Sequence, residues 1–117
     1  MKIILDTNFL ISAVRFKVDV FDQLAGHELF VLNKVLDELN VLSKGGGLAA
    51  RTAQSVLKLI SAKSLKVLHT NLSTDDALVV YAQQGYAIAT QDKELKARIK
   101  GVGRIVCLKQ RKRIEIL

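Results

Sequence analysis

The sequence predicts an α/β domain, a three-layer α/β/α arrangement in which a mostly parallel sheet of about five strands carries helices on both faces. Three observations predict it. Short apolar runs rich in β-branched residues alternate along the whole chain with longer segments of helical period, the pattern of successive β-α-β units. The 117 residues, 50% of them hydrophobic, suit one domain with one core, so residues 1–117 are read as a single unit. Finally, seven glycines and no proline leave helix ends to glycine and to side-chain caps.

The elements follow in order. Lys2–Leu5 reads as a short buried strand, Thr7–Arg15 as a helix, and Val18–Leu24 as a second short helix that Gly26 ends. Glu28–Leu32 is the next strand, and Asn33 is expected to cap a helix running to about Ser43. The Gly45-Gly46-Gly47 hinge separates that helix from another over Leu48–Ala62. Ser64–His69 is the third strand, Ser73–Gln84 a helix closed by Gly85, and Tyr86–Thr90 the fourth strand. Asp92–Lys100 is a helix and Arg104–Leu108 the fifth strand, after which Arg113–Leu117 alternates in the manner of an added edge strand.

Composition excludes several function classes. No stretch reaches the roughly 20 apolar residues of a membrane span, and the first residues lack a signal-peptide layout, so a soluble, cytoplasmic protein with no membrane partner is expected. The single cysteine, Cys107, excludes an internal disulfide and a cysteine zinc ribbon; its apolar run Ile105–Leu108 marks a buried structural thiol. His27 and His69 have no metal-ligand spacing and read as structural or surface residues. The glycine triplet is not at a strand exit and has no Lys-Ser/Thr sequel, so it is no phosphate loop.

The net charge of +7 implies attraction to polyanions. Nine of the 18 basic residues lie between Lys93 and Arg113, with Glu94 the only acid among them. A solvated face accounts for many such clusters; a phosphate track, using Lys93, Lys96, Arg98, Lys109, Arg111, Lys112 and Arg113, is the sharper reading. Four Phe, two Tyr and no Trp, none interleaved with these cations, argue against base stacking as the main binding mode.

Against this basic background the carboxylates are placed selectively. Asp6 and Asp92 stand where a strand gives way to a helix, the pair Asp75 and Asp76 opens the helix after the third strand, and Glu38 lies early in the helix after the second. In an open α/β sheet those junctions share the edge at which ligands bind. Helix capping explains each aspartate taken singly. It does not explain Glu38, which falls beside the apolar stripe Val35, Leu39 and Leu42 with no basic neighbour at helical spacing, where a desolvated carboxylate needs a cation. Several unpaired carboxylates gathered at one edge raise one another's pKa and are commonly held by a metal; all-oxygen ligation suits Mg²⁺ or Mn²⁺.

These residues, in this order, resemble the PIN-domain nuclease family: Asp6-Thr7-Asn8 after the first strand, Glu38 early in a helix, Asp76-Ala77-Leu78 opening a later helix, and Thr90-Gln91-Asp92 ending the fourth strand. The run Ala89–Lys96 and the basic end Lys109–Arg113 are similar to small members near ribosomal-RNA-maturation nucleases, and toxin-type members are close by pattern. The resemblance implies a PIN-like α/β/α sheet and Mg²⁺- or Mn²⁺-dependent endonuclease cleavage of single-stranded RNA to 3′-hydroxyl and 5′-phosphate ends. It also implies frequent homodimers, and an antitoxin or ribosome-assembly partner as the kinds of protein to seek. Carried onto this chain, Asp6, Glu38, Asp76 and Asp92 are the catalytic and metal-holding set, Asp75 is open to the same metal-holding role because helical phase does not separate it from Asp76, and Asn8 and Thr90 are placed to orient a carboxylate or a water. The rival is a catalytically inactive PIN-like RNA-binding or scaffold module. A phosphoacceptor receiver would pair acids after the first strand and a haloacid-dehalogenase phosphatase would need Asp at position 8, which is Asn8 here.

Overall fold

The computed structural model describes residues 1–117. The elements run β1 (Lys2–Leu5), α1 (Thr7–Arg15), α2 (Val20–Gln23), β2 (Glu28–Leu32), α3 (Asn33–Ser43), α4 (Gly47–Ala62), β3 (Lys66–Leu68), α5 (Thr74–Gln83), β4 (Ala87–Ala89), α6 (Lys93–Ile99), β5 (Ile105–Lys109) and β6 (Arg113–Ile116). They form one sheet in the order β3-β2-β1-β4-β5-β6. The first five strands are parallel and β6 is antiparallel to β5, so the sheet has six strands where about five were expected. The added strand is the alternating run at the chain's end, which a short turn folds back onto β5.

Chain order within the sheet assigns the layers. From β1 the chain steps outward to β2 and β3, then returns across the sheet to β4 and steps the other way to β5. Right-handed crossovers therefore put α1 to α4 on one face and α5 and α6 on the other. The reversal falls between β1 and β4, the two central strands, and opens a crevice at their carboxyl ends. Register is fixed there by Ile3, Ile4 and Leu5 facing Ala87, Ile88 and Ala89. All six of those residues are buried, as expected for strands covered on both faces.

Cys107 is fully buried in β5, as its apolar run indicates. No helix is long and apolar enough to cross a membrane. Asn33 differs from expectation. It is the first residue of α3 instead of its cap, and its side chain donates to the Thr70 carbonyl at 3.3 Å and accepts from the Thr70 N–H at 3.0 Å, tying the end of β3 to α3. His27 accepts from the Met1 ammonium at 2.8 Å, at the amino ends of the strands and away from the acids.

Gly103, in the turn before β5, shows a sequence requirement that periodicity cannot display. A Cβ there would lie 3.1 Å from both the Cβ and the carbonyl oxygen of Ala82 in α5. Gly103→Ala must push backbone against backbone, and a loss of about 1–3 kcal/mol is expected. A denaturant melt with an unchanged slope and a lowered midpoint checks it.

Candidate active site

Asp6 stands at the crevice as the first residue past β1. Its backbone is still extended (φ −79°, ψ 157°), its N–H donates to the Ala89 carbonyl of β4 at 2.9 Å, and its carbonyl accepts from Leu10 at 3.1 Å to begin α1. One carboxylate oxygen accepts from the Thr7 N–H at 2.9 Å and the other from the Thr90 hydroxyl at 2.9 Å. The residue is only 6% exposed. Burial raises its pKa from 3.8 to about 6; the two hydrogen bonds oppose that rise, and the charges of Glu38 and Asp75 add to it.

Glu38 reaches the same edge from α3. Its two oxygens accept from Thr7 Oγ1 at 2.9 Å and Thr74 Oγ1 at 3.1 Å, so it joins the first turns of α1 and α5. It was expected to be turned inward and desolvated; instead it is solvent-exposed, and the two threonine hydroxyls orient it. Sequence reasoning did not single out Thr7 and Thr74. Their signal is positional: each is the first residue of a helix, beside Asp6 and Asp75 respectively.

The adjacent pair in α5 divides. Asp75 lies close enough to Asp6 to raise its pKa. Asp76, expected among the metal-holding acids, points across to α6, where Arg98 donates to it at 2.8 Å. Arg98, with Ser73 as the second contributor, holds the Asp76 pKa below the usual carboxylate value. Arg98 is thereby engaged by Asp76, a partner not foreseen for a cation of the phosphate track. Both side chains of this pair are well exposed. Asp76→Asn is therefore expected to shift the melting midpoint by no more than about two degrees, because exposed ion pairs contribute little. A chelator-treated melt checks it.

Asp92 caps α6, its Oδ1 accepting from Glu94 N–H at 2.9 Å and Leu95 N–H at 3.2 Å. Its own N–H donates to Thr90 Oγ1 at 3.2 Å, so Thr90 stands between Asp92 and Asp6. The Thr90 hydroxyl has one proton to give, and the charged Asp6 oxygen at 2.9 Å takes it in preference to Asn8 Oδ1 at 3.3 Å. Thr90 orients a carboxylate, as its position suggested. Asn8 acts on the loop, its Oδ1 accepting from the Gln91 N–H at 3.0 Å.

Asp6, Glu38 and Asp75 thus share one edge, Asp92 adjoins it through Thr90, and Asp76 faces away. No three acidic or histidine side chains converge as a ready cage. The donor set nonetheless fits a hard divalent cation. Mg²⁺ keeps several waters and needs only one or two carboxylates together with substrate phosphate, and a buried carboxylate with a pKa near 6 lacks compensating positive charge.

The basic residues of this segment are engaged unevenly. Lys93 and Lys96 lie on α6, and Lys109 ends β5. Arg111 and Lys112 are exposed in the β5–β6 turn, where the Arg111 guanidinium lies over the Phe16 ring at 4.7 Å. Arg113 donates to Gln110 Oε1 at 3.1 Å.

Known proteins share this fold. The family model described as a PIN like domain matches residues 3–111. Among solved structures, the chain is similar to the PIN domain endonuclease Utp24 at 26% identity, with a TM-score of 0.78 over 98% of this chain and 90% of that one. No curated protein matches. Six strands in this order, an acidic edge at the topological switch and a family match over nearly the whole length place the chain in the PIN-like domain family, with the fold of a PIN-domain nuclease.

Proposed function

We propose that the chain is a divalent-metal-dependent endoribonuclease acting on single-stranded RNA, with Asp6, Glu38 and Asp75 holding the ion and Asp92 adjoining it. The observation that carries this reading is Asp6 itself: buried at the switch point, fixed by Thr7 and Thr90, and pushed to a pKa of about 6 beside two further acids. A bound Mg²⁺ or Mn²⁺ supplies an activated water and polarises the scissile phosphate. The chain's own residues do the remainder. Thr7 holds both Asp6 and Glu38, through its N–H and its hydroxyl respectively, so one residue sets the spacing of two anionic groups. Thr90 keeps the second Asp6 oxygen in a single orientation. Lys109, Arg111 and Lys112 present positive charge to flanking phosphates without reading bases, which gives salt-sensitive and weakly sequence-selective binding.

Purified protein cutting labelled single-stranded RNA in Mn²⁺, and failing to do so in chelator, is the expected result. A second reading, a non-catalytic RNA-binding or scaffold module, is favoured by Arg98 neutralising Asp76. RNA binding without cleavage across several sequences and metals would decide for it.

A further inference from the structure

We propose that Gln91 is a positioning residue that locks the basic β5–β6 hairpin to the acidic edge, so that a phosphate held on the hairpin lies in register with Asp6. The proposal rests on the nuclease reading above. It begins from a gap in the sheet. β4 leaves the ladder early: its last bond to β5 is Thr90 N–H to the Val106 carbonyl at 3.0 Å, while β5 continues to Lys109. The next main-chain partner for Leu108 has turned away toward α6, and Leu108 is 7% exposed, where an unpaired N–H is costly. The Gln91 side chain fills the vacated place. Its Oε1 accepts from Leu108 N–H at 2.7 Å and its Nε2 donates to the Leu108 carbonyl at 3.4 Å, an amide standing in for a strand peptide.

Two consecutive residues therefore face opposite ways in function. Thr90 fixes the Asp6 carboxylate, and Gln91 fixes the strand that leads into Lys109, Arg111 and Lys112. Asn8 holds the Gln91 N–H at 3.0 Å, so the junction is pinned from α1 as well. A second glutamine grips the far side of the hairpin: Gln23, at the end of α2, donates to the Lys112 carbonyl at 3.3 Å and accepts from Ile114 N–H at 2.8 Å. Between these clamps Gln110 and Arg111 are both left-handed (φ 54° and 56°), a conformation that side-chain-bearing residues adopt at a cost and keep only when their surroundings impose it. The hairpin's cations are thus presented by a braced arm, and one of its two braces is chained directly to the Asp6 partner.

The test is a double-mutant cycle on steady-state RNA cleavage in Mn²⁺, pairing Gln91→Met with a hairpin variant carrying Lys109→Gln and Lys112→Gln. Gln91→Met is expected to lower kcat by about tenfold with KM little changed, since a small misplacement of the reacting group acts on turnover. In the hairpin variant the same substitution should cost less than about twofold, because there is no gripped phosphate left to misplace. Equal losses in both backgrounds, or no loss at all, would overturn the proposal. Should Gln91→Met melt below the assay temperature, Gln23→Met carries the same cycle from the opposite brace, and its loss must likewise vanish in the hairpin variant. Hydrogen exchange on Asp6→Asn protein separates the proposal from the nuclease reading. A bound RNA oligonucleotide should slow exchange at the Thr90 and Gln91 amides, and Gln91→Met should remove that slowing. Slowing without any cleavage by the wild type retires the nuclease reading and keeps the coupling; cleavage with additive losses retires the coupling alone.

Discussion

On the proposed function, Asp6→Asn is expected to lower the turnover of RNA cleavage in Mn²⁺ by roughly two to three orders of magnitude, the scale seen when one preorganised electrostatic group is removed from a reacting centre. The fold survives the change. An asparagine oxygen can still accept from the Thr7 N–H, and the Thr90 proton can turn to Asn8 Oδ1, already within 3.3 Å. Metal-free stability shows the other half of the effect. The folded pKa of Asp6 is raised from 3.8 to about 6, so the folded state holds this proton more tightly than the unfolded chain does. Its contribution is fully favourable below about pH 4 and is lost as pH rises through about 6, a span of about two pKa units, or about 3 kcal/mol. Melts in chelator should accordingly show Asp6→Asn gaining on the wild type between pH 4 and pH 7, by on the order of ten degrees at the upper end. Added Mn²⁺ should raise the wild-type midpoint and leave the variant's in place. A pH-independent gap would mean that the Asp6 carboxylate is compensated after all.

Neutralising Lys109, Arg111 and Lys112 together to glutamine gives a lesion of another kind. Three cations withdrawn from a single-stranded polyanion lower the slope of log affinity against log salt by about 2, and weaken binding by ten- to a hundredfold at moderate salt. Cleavage should slow because less RNA is held, and saturating RNA should restore part of the rate. The Asp6 variant is expected to do the opposite, binding RNA and failing to cut it at every salt concentration. Filter binding from low to high salt, with cleavage measured on the same samples, distinguishes the two. An unchanged salt slope in the triple variant would place the RNA path elsewhere, with Lys93 and Lys96 on α6 the next candidates.

Much of this architecture was legible before any coordinates. The strands are short apolar runs, so β1, α1 and β2 fall on the expected residues and the others within one or two positions. The positions of Asp6 and Asp92 were legible because strand exits are defined by the same pattern. The division between Asp75 and Asp76 was not. On the first turn of a helix both point broadly toward the edge, and the deciding contact is Arg98, 22 residues away on another helix. Glu38 was misjudged for a related reason. Helical phase indicates which side a residue faces, but α3 stands at the rim of the sheet, where the side near the apolar stripe is still wet. Asn33 and Gln91 share a third difficulty: each bonds to the backbone of a distant segment, and no local pattern encodes the address of a partner.

The central position of β1 has a consequence for biosynthesis. Its first neighbour, β2, is made within about thirty residues, but its second, β4, begins at Ala87. Until that segment emerges, the nascent chain carries Ile3, Ile4 and Leu5 with one edge open, a template for pairing with other chains. Pairing β1 with β4 also closes a loop of some eighty residues, an entropic cost that favours a late docking of β4. A chain stopped short of Ala87 therefore lacks both the cover for its innermost strand and the hydroxyl that steadies Asp6. The second neighbour of the innermost strand and the hydroxyl that fixes the Asp6 carboxylate arrive with the same few residues of translation, Ala87 to Thr90.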